Sequence, residues 1–174
     1  MARLRKFVSY RRTKRPYTRT SKFKAQAYIR MTPVPKVVRF DTGNPGGSFE
    51  CTLNLLSKSD LQIRDNALES ARQTSNRLLE SYLGLNGFHL KVKAYPYQVI
   101  REHALAAGAG ADRFSSGMAH SFGKPAGIAA RIKKGQSIFQ VRVDKQNLNI
   151  ARQALDRASK KLPCSCTIQI KEKK

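Results

Sequence analysis

Ser48-Phe49-Glu50-Cys51-Thr52-Leu53-Asn54-Leu55, Ser59-Asp60-Leu61-Gln62 and Phe88-His89-Leu90-Lys91-Val92-Lys93-Ala94 frame the segment that decides the fold. Residues 48 to 57 alternate as a half-buried strand does, with successive side chains on opposite faces. Ser59 and Gln62 then match a capping box, in which each side chain satisfies the other's free backbone donor, so the spacing predicts a helix from there. Leu61, Leu68, Ala71, Ser75, Leu78, Leu79 and Tyr82 fall on one face of that helix, and Gly84 can end it in a left-handed cap. Phe88, Leu90, Val92 and Ala94 next alternate with His89, Lys91 and Lys93, which predicts a second strand with the latter three on its polar side.

A second strand-helix-strand unit follows. Ile138 to Val143 alternates, Asp144 can cap a helix, and Leu148, Ala151, Leu155, Ala158 and Leu162 repeat at steps of three and four. Pro163 stops that helix, and Cys164, Cys166, Ile168 and Ile170 form one face of a closing strand. Two amphipathic helices with half-polar strands predict an α+β fold. The expected arrangement is a two-layer sandwich, with both helices on one face of a mixed, largely antiparallel sheet, an extended basic N-terminal arm and a long Gly-rich loop. The repetition is architectural, without residue-level similarity. The predicted organisation is an arm over 1–36 and a single α+β domain over 37–174.

Between the two units, residues 101–127 hold Gly108, Gly110, Gly117, Gly123 and Gly127 and sustain no period. A connection of about 25 residues without structure of its own is usually functional or disordered. Glycines let a backbone approach a ligand closely, while Arg113 and Lys124 supply charge and His103, Phe114, His120 and Phe122 stacking surface.

The charge is distributed unevenly. Asp41 is the first acidic residue, and 13 Lys and Arg precede it; the whole chain of 174 residues is +23. Like charges at that density oppose compaction unless a polyanion screens them. The segment also holds Pro16, Pro33 and Pro35, interleaves aromatic residues with the cations, and has no helical period. An extended arm ordered by nucleic acid is the reading that fits. Its candidate RNA contacts are Arg3, Arg5, Lys6, Arg11, Arg12, Lys14, Arg15, Tyr17, Arg19, Lys22, Lys24, Tyr28, Arg30 and Lys36. The folded part adds Arg64, Arg131, Lys133 and Lys134, together with Arg72, Lys91 and Lys93, on faces away from the core. An acid-poor transit peptide is disfavoured by the prolines and the missing amphipathic period.

Other classes find little support. No apolar stretch reaches the roughly 20 residues of a membrane span, and no secretory signal opens the chain. Three cysteines suit reduced thiols, and Cys164-x-Cys166 with a distant Cys51 is a poor zinc pattern, so no metal or other cofactor is expected. Gly108-Ala109-Gly110 lacks the context of a dinucleotide fingerprint, and Gly123-Lys124-Pro125 lacks the hydroxyl residue of a P-loop. Glu102, His103, Asp112, Ser115, Ser116 and His120 have no spacing that commits to catalysis. Neither an enzyme nor a small-molecule substrate is predicted.

Ile63-Arg64-Asp65-Asn66-Ala67-Leu68-Glu69, Gly108-Ala109-Gly110-Ala111-Asp112-Arg113, Gly117-Met118, Phe122-Gly123-Lys124-Pro125, Ala129-Ala130-Arg131 and Gly135-Gln136 resemble the L-ten-e family of large-subunit ribosomal proteins, homologous to bacterial L-sixteen. Arg15-Pro16-Tyr17-Thr18-Arg19, Tyr28-Ile29-Arg30 and Pro35-Lys36 agree with its N-terminal pattern; the first dozen residues are more Arg-rich. The resemblance implies a structural constituent of the cytoplasmic ribosome, bound to large-subunit rRNA among neighbouring ribosomal proteins. It implies an arm threaded between RNA helices and a loop facing tRNA near the peptidyl-transferase region. Carried onto this chain, the loop residues are Gly108, Gly110, Asp112, Arg113, Gly117, Met118, Phe122, Gly123 and Lys124. A free RNA-binding translation regulator or RNA chaperone is the alternative.

Overall fold

The structure, a computed structural model, describes residues 8–11, 22–23, 25, 29, 31–102 and 124–172. Its elements run α1 (Val8–Arg11), β1 (Asp41–Gly43), β2 (Cys51–Ser57), β3 (Leu61–Arg64), α2 (Asp65–Leu83), β4 (His89–Val92), β5 (Gln98–Glu102), β6 (Lys124–Ile132), β7 (Ser137–Val143), a 3-10 turn (Lys145–Asn147), α3 (Leu148–Ser159) and β8 (Cys166–Glu172).

The fold is α+β, as the patterning predicts, with the strands divided between two sheets. β2 lies between β7 and β8 in a five-stranded sheet of order β1-β4-β7-β2-β8, and β6 is the middle strand of a three-stranded sheet, β3-β6-β5. Every described pairing is antiparallel. α3 packs on β2, β7 and β8, and α2 packs on α3 and the small sheet. Leu53, Leu55, Phe88, Leu90, Phe139, Val141 and Val143 meet Leu68, Leu79 and Leu155 in one continuous core. Ala151, Ala154 and Ala158 are fully buried on α3, and side chains that small let the two helices approach closely.

Helix α2 starts later than the capping-box spacing predicts. Leu61, Gln62 and Ile63 are all buried in β3, which pairs with Ala130, Arg131 and Ile132 of β6. Asp65 opens the helix instead, its carboxylate accepting the Asn66 N–H at 2.8 Å and the Lys36 N–H at 3.1 Å. The satisfied sheet donors of β3 outweigh a local cap, whose worth is about 1 kcal/mol. Leu68, Ala71, Ser75, Leu78 and Leu79 form the predicted inward stripe, but Tyr82 is 67 % exposed and Leu83 takes the inward position in the last turn. Gly84 ends the helix with φ 67° and ψ −176°, a positive-φ conformation strained for any residue with a Cβ; its N–H donates to the Glu80 carbonyl at 3.0 Å. α3 ends at Ser159, four residues before Pro163.

The predicted Gly-rich connection is structured at both described ends. Gln98–Glu102 and Lys124–Ile132 pair as β5 and β6, so Lys124 and Gly127 belong to a strand. Within the arm, Val8–Arg11 is a single helical turn rather than extended chain. Ile29 is buried against Val99 and Ile128, the strands that flank 103–123.

Candidate nucleic-acid interface

The hairpin between β6 and β7 shows how the fold presents cations. Lys133 N–H donates to Gln136 Oε1 at 2.9 Å, Lys134 N–H to Asp60 Oδ1 at 2.6 Å, and Gly135 N–H to the Ser57 carbonyl at 2.8 Å. Backbone pinned at three points leaves both lysine side chains exposed, so this turn is a rigid dication. Lys36 is exposed while its backbone is tied to Asp65. Lys22 is exposed with its Nζ 5.7 Å from the Phe23 ring, and Arg11 and Lys124 are exposed as well.

Arg64 and Arg131 differ from these. Both are half-buried and engaged within the fold, on the same face of the small sheet as Gln62. Arg64 also lines an open groove of about 380 Å³ between the start of α2 and the end of α3, shared with Asn66, Ser70 and Lys161. Arg72 is not an available cation. Its Nε and guanidinium nitrogen grip Glu69 at 2.9 and 2.6 Å, which holds the Glu69 carboxyl below its ordinary value and the Arg72 guanidinium above its own.

His89 overturns the predicted polar-side position, being 1 % exposed. Its Nε2 sits 2.9 Å from Asp41 Oδ1, and Arg142 Nε donates to its Nδ1 at 3.1 Å, so the neutral ring carries its proton on Nε2. Burial and the neighbouring Arg142 push the imidazole below its ordinary value against the opposing pull of Asp41. The three side chains tie β1, β4 and β7 together. Asp41 Oδ1 also lies 3.5 Å from Lys91 Nζ.

The thiols are free: Cys51 is buried, and Cys164 and Cys166 are half-buried with their sulfurs 3.6 Å apart. Among the described residues, no group of three or more His, Cys, Asp and Glu could hold a metal ion, and no helix is long and apolar enough to cross a membrane. Arg3, Arg5, Lys6, Arg12, Lys14, Arg15, Tyr17, Arg19, Lys24, Tyr28 and Arg30 lie outside the described residues, as do Gly108, Gly110, Asp112, Arg113, Gly117, Met118, Phe122 and Gly123.

Comparison with known proteins supplies the family. The family described as Ribosomal protein L16p/L10e matches over residues 12–169. The chain belongs to this ribosomal protein family. Within it, Large ribosomal subunit protein uL16 of Methanococcus aeolicus is 45% identical over 168 residues, 96% of this chain and 94% of its own. The uL16 of Methanococcus maripaludis is 45% identical over 157 residues, 90% of this chain and 87% of its own, and that of Archaeoglobus fulgidus 42% identical over 163, covering 94% and 90%. As an L16p/L10e protein, the chain is a structural component rather than an enzyme.

Sequence reasoning missed one feature of the surface. The period-two alternation of β4 runs on past Ala94, so that Tyr95 and Tyr97 stand outward, 60 % and 56 % exposed. The continuing alternation was the available signal.

Proposed function

We propose that this chain, a structural constituent of the large ribosomal subunit, is held there by phosphates of large-subunit rRNA. The segment before Asp41 neutralises the backbone, Lys133 and Lys134 add fixed contacts from the folded domain, and the connection 101–127 faces tRNA near the peptidyl-transferase region. The single observation that carries the reading is the 13 unanswered Lys and Arg before Asp41, joined to a domain that stays net positive. Such cations bind by releasing counterions, and for about ten phosphates the logarithm of affinity falls with the logarithm of salt at a slope of roughly −9 on a duplex. Shape supplies specificity, since phosphate contacts position without reading sequence. Peptide transfer itself stays with RNA. The protein's place is the ribosome in the cytoplasm, among neighbouring ribosomal proteins.

The test replaces Arg3, Arg5, Arg11, Arg12, Arg15 and Arg19 with serine and follows incorporation into large subunits by sedimentation after a moderate salt wash. Incorporation is expected to be lost while thermal unfolding of the domain stays near native. Equal incorporation by the substituted chain contradicts the reading, and a native chain that never sediments with the subunit would instead be a free RNA-binding regulator.

A further inference from the structure

We propose that the segment Lys91–Tyr97, which joins β4 to β5, is a docking ladder for unpaired RNA, with Lys91 and Lys93 taking backbone phosphates and Tyr95 and Tyr97 stacking bases. This deepens the rRNA reading above and rests on it. Burial alternates strictly along the segment. Leu90, Val92, Ala94, Pro96 and Gln98 point inward, while Lys91 is half-buried and Lys93, Tyr95 and Tyr97 are exposed. That alternation leaves these four side chains on the outer side of the segment, between the end of β4 and the start of β5.

The exposed aromatic pair selects the ligand. Bases of paired RNA are already stacked on one another and hydrogen-bonded to their partners, so they are not free to stack on a tyrosine, whereas an unpaired strand can splay its bases onto both. Recognition of unpaired RNA by aromatic stacking beside cations is the general mode for such strands. Tyr95 is also held ready, because Phe40 stacks on it with ring centroids 5.4 Å apart and planes 29° from parallel. An aromatic platform fixed from behind loses little side-chain freedom when a base arrives.

Charge complements the polyanion. Lys93 is exposed, Arg39 is exposed one residue before Phe40, and Lys91 shares Asp41 with His89 at 3.5 Å, which makes Lys93 the stronger phosphate rung.

The experiment titrates the full chain by fluorescence anisotropy against a twelve-nucleotide oligouridylate and against a blunt RNA duplex of equal length, over a range of salt. The double variant Tyr95→Ser, Tyr97→Ser is expected to lose about five- to a hundredfold of affinity for the single strand, the range of one stacked base, with its salt slope unchanged. Its duplex affinity stays within about twofold of native. Tyr95→Phe with Tyr97→Phe restores the single-strand affinity, and Lys93→Gln lowers the single-strand salt slope by about 0.7. Tyr97→Ser alone, remote from the Phe40 stack, decides the matter if the double variant unfolds. Undiminished single-strand binding by the serine variants overturns the ladder, as does an equal loss on duplex and strand. If in either case the arm substitutions still weaken RNA binding, the rRNA reading survives, whereas a native chain that binds neither probe ends both.

Discussion

Ile29→Ala tests whether the basic arm is seated on the domain by an apolar contact as well as by phosphates. Ile29 is 7 % exposed and packs with Val99 and Ile128, which are 2 % exposed, in a cluster apart from the main core. Truncating a buried isoleucine costs about 2–5 kcal/mol by lost transfer energy and the cavity left behind. A three-residue cluster collapses more readily than the main core, so the low end applies, about 2 kcal/mol. For a chain of this size that is a drop of roughly 4–8 °C in Tm. Differential scanning calorimetry reads the global effect, and amide hydrogen exchange at Val99 and Ile128 should accelerate more than at Leu53 or Val141 in the large sheet. Because no charge is removed, the salt slope of RNA binding should not move. A Tm within a degree of native, with unchanged exchange in β5 and β6, would refute the reasoning.

Three further outcomes are expected. His89 is held below its ordinary value, so between the unfolded value of about 6.5 and the lower folded one the unfolded chain binds the extra proton; stability therefore falls as pH drops through that window, and His89→Gln should flatten this part of a denaturant-midpoint profile against pH. Cys164, lowered to about 7 chiefly by the Cys166 S–H, should react first with iodoacetamide at pH 7.5 and more slowly in Cys166→Ala, while the thiol of Cys51, raised by burial, reacts last; mass spectrometry of the alkylated peptides reads the order. Shortening residues 106–122 should leave subunit assembly intact and impair translation; peptide synthesis at the native rate by such ribosomes would remove the proposed role of the loop.

The parts of the fold that show in the sequence are those whose periodicity is undiluted. The stripe from Leu68 to Leu79 and that from Ala151 to Ala158 both face the core, because 3.6-residue spacing leaves one way to bury them. Leu61–Arg64 misled because Ser59-Asp60-Leu61-Gln62 satisfies a local rule, while the pairing with Leu61–Arg64 comes from Ala129–Ile132, far along the chain. The strand Lys124–Ile132 was hidden by composition. Alanine and glycine have low strand propensity, and β6 is a strand because β3 and β5 hydrogen-bond it from both sides. His89 looked polar by position and is buried by partners 48 and 53 residues away. Of the candidate site, the charge asymmetry and the exposed Lys133-Lys134 could be read directly, and the outward tyrosines were signalled by alternation continuing past Ala94; the pairing of Arg72 with Glu69 one helical turn away was passed over because a charged helix face reads as solvated.

The placement of β2 constrains the order in which the molecule can be completed. One edge of that strand is closed by Cys166–Glu172, so Cys51–Ser57 must wait for residues more than a hundred positions downstream. At ordinary synthesis rates the delay is on the order of ten seconds. During it, the most apolar strand of the large sheet has bare backbone donors and acceptors while its cationic leader is already free to capture any polyanion nearby. The nascent chain can thus find RNA before its own architecture is closed.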